Sequence, residues 1–177
     1  MEKSELRKEI RRRKAACSAA QRAALSNDVI ARLLQTSQWQ QAKTVLLYHS
    51  LPDEVCTHEL LRHATSEGKH VLLPVVVGDA LELREYINEG SMAEGAFHIQ
   101  EPTGQLFTDY ASIDLAVIPG VAFTANGMRL GRGRGFYDRL LPRLRHTLKI
   151  GICWPFQLLD DIPAEPHDVR MDEVICG

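Results

Sequence analysis

Four short runs of aliphatic and branched side chains most constrain the fold: Thr44–Tyr48 (TVLLY), His70–Val77 (HVLLPVVV), Leu115–Ile118 (LAVI) and Lys149–Trp154 (KIGICW). Each is short, nearly continuous in apolar character and bounded by polar or turn-forming residues, so each reads as a buried strand. Between them lie helical patterns: Val29, Ile30, Leu33 and Leu34 after a Ser18–Gln21 capping box, then Thr57–Glu67, stopped by Gly68. Strands alternating with helices predict parallel βαβ units. The expectation is an α/β fold, a three-layer, Rossmann-like open sheet, mostly parallel, with helices on both faces and a single domain over 1–177. Leu81–Tyr86 alternates as a further strand, Phe97–Glu101 reads as an edge, and Asp172–Ile175 reads as a last short strand.

The most unusual local stretch is Met128–Leu141, MRLGRGRGFYDRLL. Gly131, Gly133 and Gly135 alternate with Arg132 and Arg134. Glycine tolerates positive φ and lets successive N–H groups turn toward one oxyanion, while guanidinium groups add forked donors. Helical spacing of Tyr137, Leu140, Leu141, Leu144 and Leu148 places a helix start behind the loop, although Pro142 should kink or shorten it. The stretch reads as a phosphate cradle, or otherwise as a glycine-rich turn whose arginines face water. It is neither a Walker loop, because Phe136-Tyr137 stands where Lys-Ser or Lys-Thr is needed, nor G-x-G-x-x-G, because the sixth position is Phe136.

A net charge of −2 over 177 residues supplies no global field toward nucleic acid or membrane. No apolar run approaches spanning length, and the charged N-terminus is unlike a signal peptide. Cys17, Cys56, Cys153 and Cys176 show no CxxC spacing, which argues against zinc and a disulfide framework and for a reducing cytoplasm. The first helix, Lys3–Cys17, puts Lys3, Arg7, Arg11 and Lys14 on one face. That face is open to three uses: a solvated surface, an RNA patch, or a strap over the cradle. His49 and Glu54 follow the first strand, in the crevice where open α/β sheets bind ligands, or are solvated loop residues. The irregular stretch Asn88–Tyr110 is expected to form loops that wall a pocket, and Asp160–Asp168, acidic and proline-containing, reads as loop.

With KSELR, SLPDEV, PGVAFTANGMRLGRGRGFYDRLL and MDEV in one order, the chain resembles the 5-formyltetrahydrofolate cyclo-ligase (methenyltetrahydrofolate synthetase) family over nearly its whole length. Phe136 stands where tyrosine is frequent, Arg134 where lysine or glycine often appears, and Cys153-Trp154-Pro155 departs more. The resemblance implies an ATP- and Mg²⁺-dependent cyclisation of 5-formyltetrahydrofolate to 5,10-methenyltetrahydrofolate, releasing ADP and phosphate. Its partners would be small molecules, reduced folate and ATP, with no nucleic acid or membrane, in a cytoplasmic monomer.

Residue by residue, the resemblance implies ATP binding by Lys3, Arg7 and the loop Arg129, Leu130, Gly131, Arg132, Gly133, Arg134, Gly135, Phe136 and Tyr137. It implies folate contacts from His49, Glu54 and Arg132 to Phe136, and Mg²⁺ ligation by Asp138 and Asp172. Arg134 and Tyr137 would act at the reacting groups. Without the resemblance, Asp138 is a favourable charge in a first helical turn and Asp172 a solvated terminus. Tyr137, Phe123 and Trp154 are either ring-stacking partners or core. Two other classes fit the residues alone: a sugar-phosphate isomerase-like enzyme using the glycine loop, and an RNA-binding module using the basic helix.

Overall fold

A computed structural model describes all residues, Met1–Gly177. The strands are β1 (Thr44–Leu46), β2 (His70–Val77), β3 (Ala80–Tyr86), β4 (Met92–Glu94), β5 (Gln100–Pro102), β6 (Leu106–Phe107), β7 (Leu115–Ile118), β8 (Ala122–Thr124), β9 (Arg129–Leu130), β10 (Leu148–Cys153), β11 (Leu158–Leu159) and β12 (Glu173–Cys176). The helices are α1 (Lys3–Ala15), α2 (Ala19–Gln35), α3 (Ser37–Gln41), α4 (His58–Ser66) and α5 (Phe136–Leu140). Seven strands form the main sheet in the order β12-β10-β7-β1-β2-β3-β6. The first five in that order are mutually parallel; β3 and β6 are antiparallel additions on one side. The expected mostly parallel α/β sheet is therefore what forms.

Alternation along the strands separates two cores. Val45, Leu47, Val71, Leu73, Val117 and Ile152 pack against Val29, Leu33, Trp39, Leu60 and Leu61 from α2, α3 and α4. On the opposite face Leu46, Leu72, Ala116 and Ile118 meet Leu140, Leu141 and Leu144. Period-two side-chain direction thus gives both faces of each central strand a helical cover. Ser18 caps α2 as its sequence predicts, its Oγ accepting from Gln21 N at 3.1 Å.

The helix behind the glycine loop is much shorter than its apolar spacing suggests. It ends at Leu140 and continues only as a single tight turn, Leu141–Arg143, containing Pro142. Proline has no N–H to donate and its ring clashes with the preceding turn, so the leucine pattern is buried without a continuous helix.

Two small sheets stand apart from the large one: β11-β8-β9, and the hairpin β4-β5. The first carries the glycine loop on the outgoing end of β9. Its Asn126-Gly127 turn is fixed by the C-terminal segment, since Met171 N donates to Gly127 O at 2.8 Å. Gly127 has φ 94°, and a Cβ there would stand 2.3 Å from Met171 O, so only glycine fits. α1 packs on this small sheet through Leu6 and Ile10, which join Ala122, Met128, Leu130 and Ile162 in a third, minor core. That packing brings the chain's first residues beside the glycine loop.

Candidate active site

The chain leaves β1 for β2 in one direction and later returns to β7 on the other side of β1. The order reverses between these two strands, and the backbones splay apart beyond their carboxyl ends. A cavity of about 300 Å³ opens at that point. Tyr48 and His49 after β1 and Pro119 and Gly120 after β7 form its base, with Leu73, Pro74, Val76 and Leu81 along one side. The β4-β5 hairpin overhangs it with Phe97, Ile99, Gln100 and Glu101. The sequence predicts pocket-walling loops over this stretch with an edge at Phe97–Glu101, and the strand that forms is Gln100–Pro102. A lone aromatic beside a glycine, Gly95-Ala96-Phe97, is the signal that was available. Phe97 and His98 both take φ 57°, a left-handed conformation uncommon for side-chain-bearing residues.

Two acids line this cavity, Glu101 on the hairpin and Glu54 after β1. Glu54 Oε1 accepts from Leu51 N at 2.8 Å, and its Oε2 lies 3.4 Å from Arg132 Nη2. Burial raises the Glu54 pKa above the ordinary glutamate value, against the lowering effect of Leu51 N–H and Arg132. His49 lies over His58 at 4.2 Å between ring centroids, with its Nε2 3.2 Å from Glu89 Oε2. Both therefore face the cavity that sequence reading placed beyond the first strand.

A second cavity, about 380 Å³ and strongly polar, lies behind the first. Lys3 and Arg7 from α1, the glycine loop, Asp138 and Arg139 from α5, and Glu165, His167 and Asp168 from the 160–168 loop line it. Arg7 Nε donates to Gly131 O at 2.8 Å, so α1 straps the loop rather than lying free in solvent. Gly133 takes φ 102° and Gly135 φ 73°, which turn the loop in a way side-chain-bearing residues resist. Arg139 Nη2 donates to Arg134 O at 3.0 Å and holds the turn closed. With α5 only five residues long, the anion-binding character rests on loop amides and cations more than on a helix terminus.

The two cavities share a wall of Arg129, Arg134, Phe136 and Tyr137. Arg129 is anchored by its Nε to Pro119 O at 2.7 Å and lies 4.9 Å over the Tyr137 ring. Desolvation lowers the Arg129 pKa and raises that of Tyr137, so the phenol stays a neutral donor and no base. Arg134 is exposed and stacks on Phe97 at 3.9 Å from guanidinium carbon to ring centroid, reaching from the polar loop to the hairpin tip.

Two sequence expectations change. Arg132 does not line the polar cavity; its guanidinium grips Asp53 at 2.8 and 3.2 Å, and Lys14 approaches the same carboxylate at 3.4 Å. Asp172 is not beside Asp138. Its Oδ2 accepts from Lys149 N at 2.8 Å, at the entry to β10 and β12, whereas Asp138 stands near Arg129 beyond the carboxyl end of β7. The acid that meets Asp138 is Asp168, four residues earlier, where sequence reading saw only an acidic loop. A carboxylate four residues along and on a turn carries no periodic signal. Of the two readings open for Phe123 and Trp154, the core one holds: both are buried, and Trp154 Nε1 donates to Ser26 Oγ at 2.9 Å. The basic helix is also less available than its composition suggests, since Arg12 and Arg13 both pair with Glu9.

The description that decides the family is a match of residues 1–177 to the 5-formyltetrahydrofolate cyclo-ligase family. The chain belongs to that family. Among similar proteins, the cyclo-ligase of Haemophilus influenzae is 30% identical over 182 residues, spanning 99% of this chain and 97% of that protein. The Escherichia coli K12 cyclo-ligase is 29% identical over 174 residues, 94% of this chain and 95% of its own. The solved structure of Aquifex aeolicus 5,10-methenyltetrahydrofolate synthetase superposes with a TM-score of 0.88 at 34% identity, covering 99% of this chain and 90% of that one. The Mycoplasma pneumoniae synthetase gives 0.80 at 28% identity, over 99% and 98% of the two chains. The chain is thus an enzyme of folate one-carbon metabolism with 5-formyltetrahydrofolate cyclo-ligase activity. None of its helices is long and apolar enough to cross a membrane.

Proposed function

We propose that this cyclo-ligase converts 5-formyltetrahydrofolate and MgATP to 5,10-methenyltetrahydrofolate, ADP and phosphate, acting as a single-domain cytoplasmic monomer. The observation that carries the reading is the shared wall between a largely apolar cavity that holds Glu54 and a polar cavity lined by cations and glycine amides. A reaction that moves a phosphoryl group between two unlike ligands requires adjacent sites of that kind. The folate ring system lies in the apolar cavity, with Glu54 accepting from pterin N–H groups and His49 and Phe97 bounding it. The triphosphate lies in the polar one, against Lys3, Arg7, Arg129 and the loop Leu130–Tyr137. The backbone of Arg132 belongs to that loop, while its side chain serves the folate side through Asp53 and Glu54.

The N-formyl group is amide-like, so its oxygen is a poor leaving group. Its oxygen attacks the γ-phosphorus, an O–P bond forms, and the bond from γ-phosphorus to the β,γ-bridging oxygen breaks to release ADP. The N10 lone pair then adds to the formyl carbon, N10 gives up its proton to solvent, and a nitrogen lone pair closes the C=N bond as the carbon–oxygen bond breaks and phosphate leaves. Phosphoryl transfer of this kind depends on positioning and charge stabilisation. Arg134, at the wall and within reach of both cavities, neutralises charge on the passing phosphoryl, and the neutral Tyr137 hydroxyl donates to an oxygen beside it. Asp138 and Asp168 would hold Mg²⁺, whose usual partners are carboxylates and phosphate oxygens and which would neutralise phosphate charge.

The test is formation of the methenyl product from 5-formyltetrahydrofolate, followed by its new near-ultraviolet absorbance, with ADP release measured in the same sample. Product that requires ATP and appears in equal amount with ADP supports the reading. Turnover without ATP, or ATP hydrolysis without ring closure, rejects it.

A further inference from the structure

One side chain beside the polar cavity has no part in this scheme. His167 offers one ring nitrogen that lies, with one carboxylate oxygen from each of Asp138 and Asp168, inside a cluster whose ligand atoms are all within 4.8 Å of one another. Asp138 comes from α5 and the adjacent pair His167 and Asp168 from the turn 165–168, so it is the tertiary fold that brings Asp138 to that pair. The turn itself is fixed: Glu165 N donates to Asp168 Oδ2 at 2.7 Å, and Asp168 N donates to Glu165 O at 3.0 Å. His167 Nε2 lies 3.0 Å from Glu165 Oε2 and 3.8 Å from Asp168 Oδ1, so the ring is held against the carboxylates of the turn. Independently of the cluster, the adjoining cavity is built for anions, with Lys3, Arg7 and the glycine loop facing the same space. Lys3 Nζ stands 3.1 Å from Glu165 and 3.7 Å from Asp168, so a cation balances these carboxylates.

We propose that His167 is the third protein ligand of the divalent cation that accompanies the nucleotide, and that it biases this enzyme toward Mn²⁺ and similar nitrogen-accepting cations over Mg²⁺. The proposal rests on the nucleotide half of the reading above and is independent of the folate half. Mg²⁺ prefers oxygen donors and gives up water reluctantly, whereas imidazole suits first-row transition ions. A two-carboxylate site without the ring would take either ion; adding the ring nitrogen favours one of them. Because transition ions bind most nitrogen- and oxygen-containing sites more tightly than Mg²⁺, affinity for Mn²⁺ alone decides nothing. The informative quantity is how the preference changes when the ring is removed.

The experiment uses the full-length protein with Mn²⁺ and ADP. Pulsed electron paramagnetic resonance of bound Mn²⁺ reports a directly coordinated nitrogen. The wild type shows nitrogen modulation, and His167→Asn loses it. Competition of Mg²⁺ against bound Mn²⁺ then gives a preference that falls about tenfold in the variant, while Mg²⁺ affinity itself stays within about twofold. Absence of nitrogen modulation in the wild type, or its persistence in His167→Asn, overturns the proposal. If Mn²⁺ and ADP bind without nitrogen coordination and ring closure still proceeds with MgATP, His167 alone has been misassigned. If no Mn²⁺·ADP binds at all, the nucleotide assignment falls together with it.

Discussion

The two cavities differ in how they are built. The apolar one is framed by ends of strands in the main sheet, so its base inherits the rigidity of a sheet packed on both faces. The polar one gathers an N-terminal helix, a glycine loop and a 160s turn, and its largest anchor is a minor core of Leu6, Ile10 and four partners. The apolar cavity is accordingly preformed, whereas the polar one depends on a strap that α1 closes with Arg7 on Gly131. A rigid sheet suits recognition of a flat ring; a strap on a small core suits a charged ligand that must enter and leave each cycle.

The sharpest break between the halves is expected from Arg134→Ala. Turnover should fall by about a hundredfold to a thousandfold, as when a positioned charge-stabilising donor is removed. Thermal unfolding followed by circular dichroism should stay put, because Arg134 is exposed. A large drop in melting temperature would mean the residue serves the fold. Next in size, Glu54→Gln should weaken folate binding about tenfold or more while nucleotide affinity, read by calorimetry, is retained. Equal weakening of both ligands would show that the cavities are not separable.

Acidity offers a third handle on the same residue. Burial raises the Glu54 pKa, so its carboxyl keeps a proton at higher pH than an ordinary glutamate. Ligand binding that needs the carboxylate should be full above that raised pKa and fall as pH drops through it. Folate affinity of the wild type should therefore decline at higher pH than an ordinary glutamate would give, and Glu54→Gln should flatten the profile. A profile unchanged by the substitution would remove Glu54 from pterin recognition. The smallest effect is expected at the exposed latch. Asp53→Asn should cost about 1 kcal/mol or less of stability in chemical denaturation, since exposed ion pairs contribute little. A larger loss would show that the Asp53–Arg132–Lys14 contacts hold the two halves together.

Much of this arrangement is legible in the chain itself, for a local physical reason. Continuous aliphatic runs such as LAVI and KIGICW can be satisfied only by burial on both faces, which dictates a covered parallel sheet. Alternating glycines at 131, 133 and 135 announce a turning loop before any partner is known, and two of them, Gly133 and Gly135, do take positive φ; the Ser18 and Asn126-Gly127 signals are equally local. Pro142 likewise foretells a shortened helix. What the residues alone could not fix were the meetings of distant segments. The strength of the α1 strap, the placement of Phe97 over one cavity, the turning of Arg132 toward Asp53, and the choice of Asp168 over Asp172 beside Asp138 all depend on where the sheet reverses and where small cores dock. Local chemistry is written in neighbouring residues, but a carboxylate's partner is set by distances across the folded chain, and only the tertiary structure fixes those.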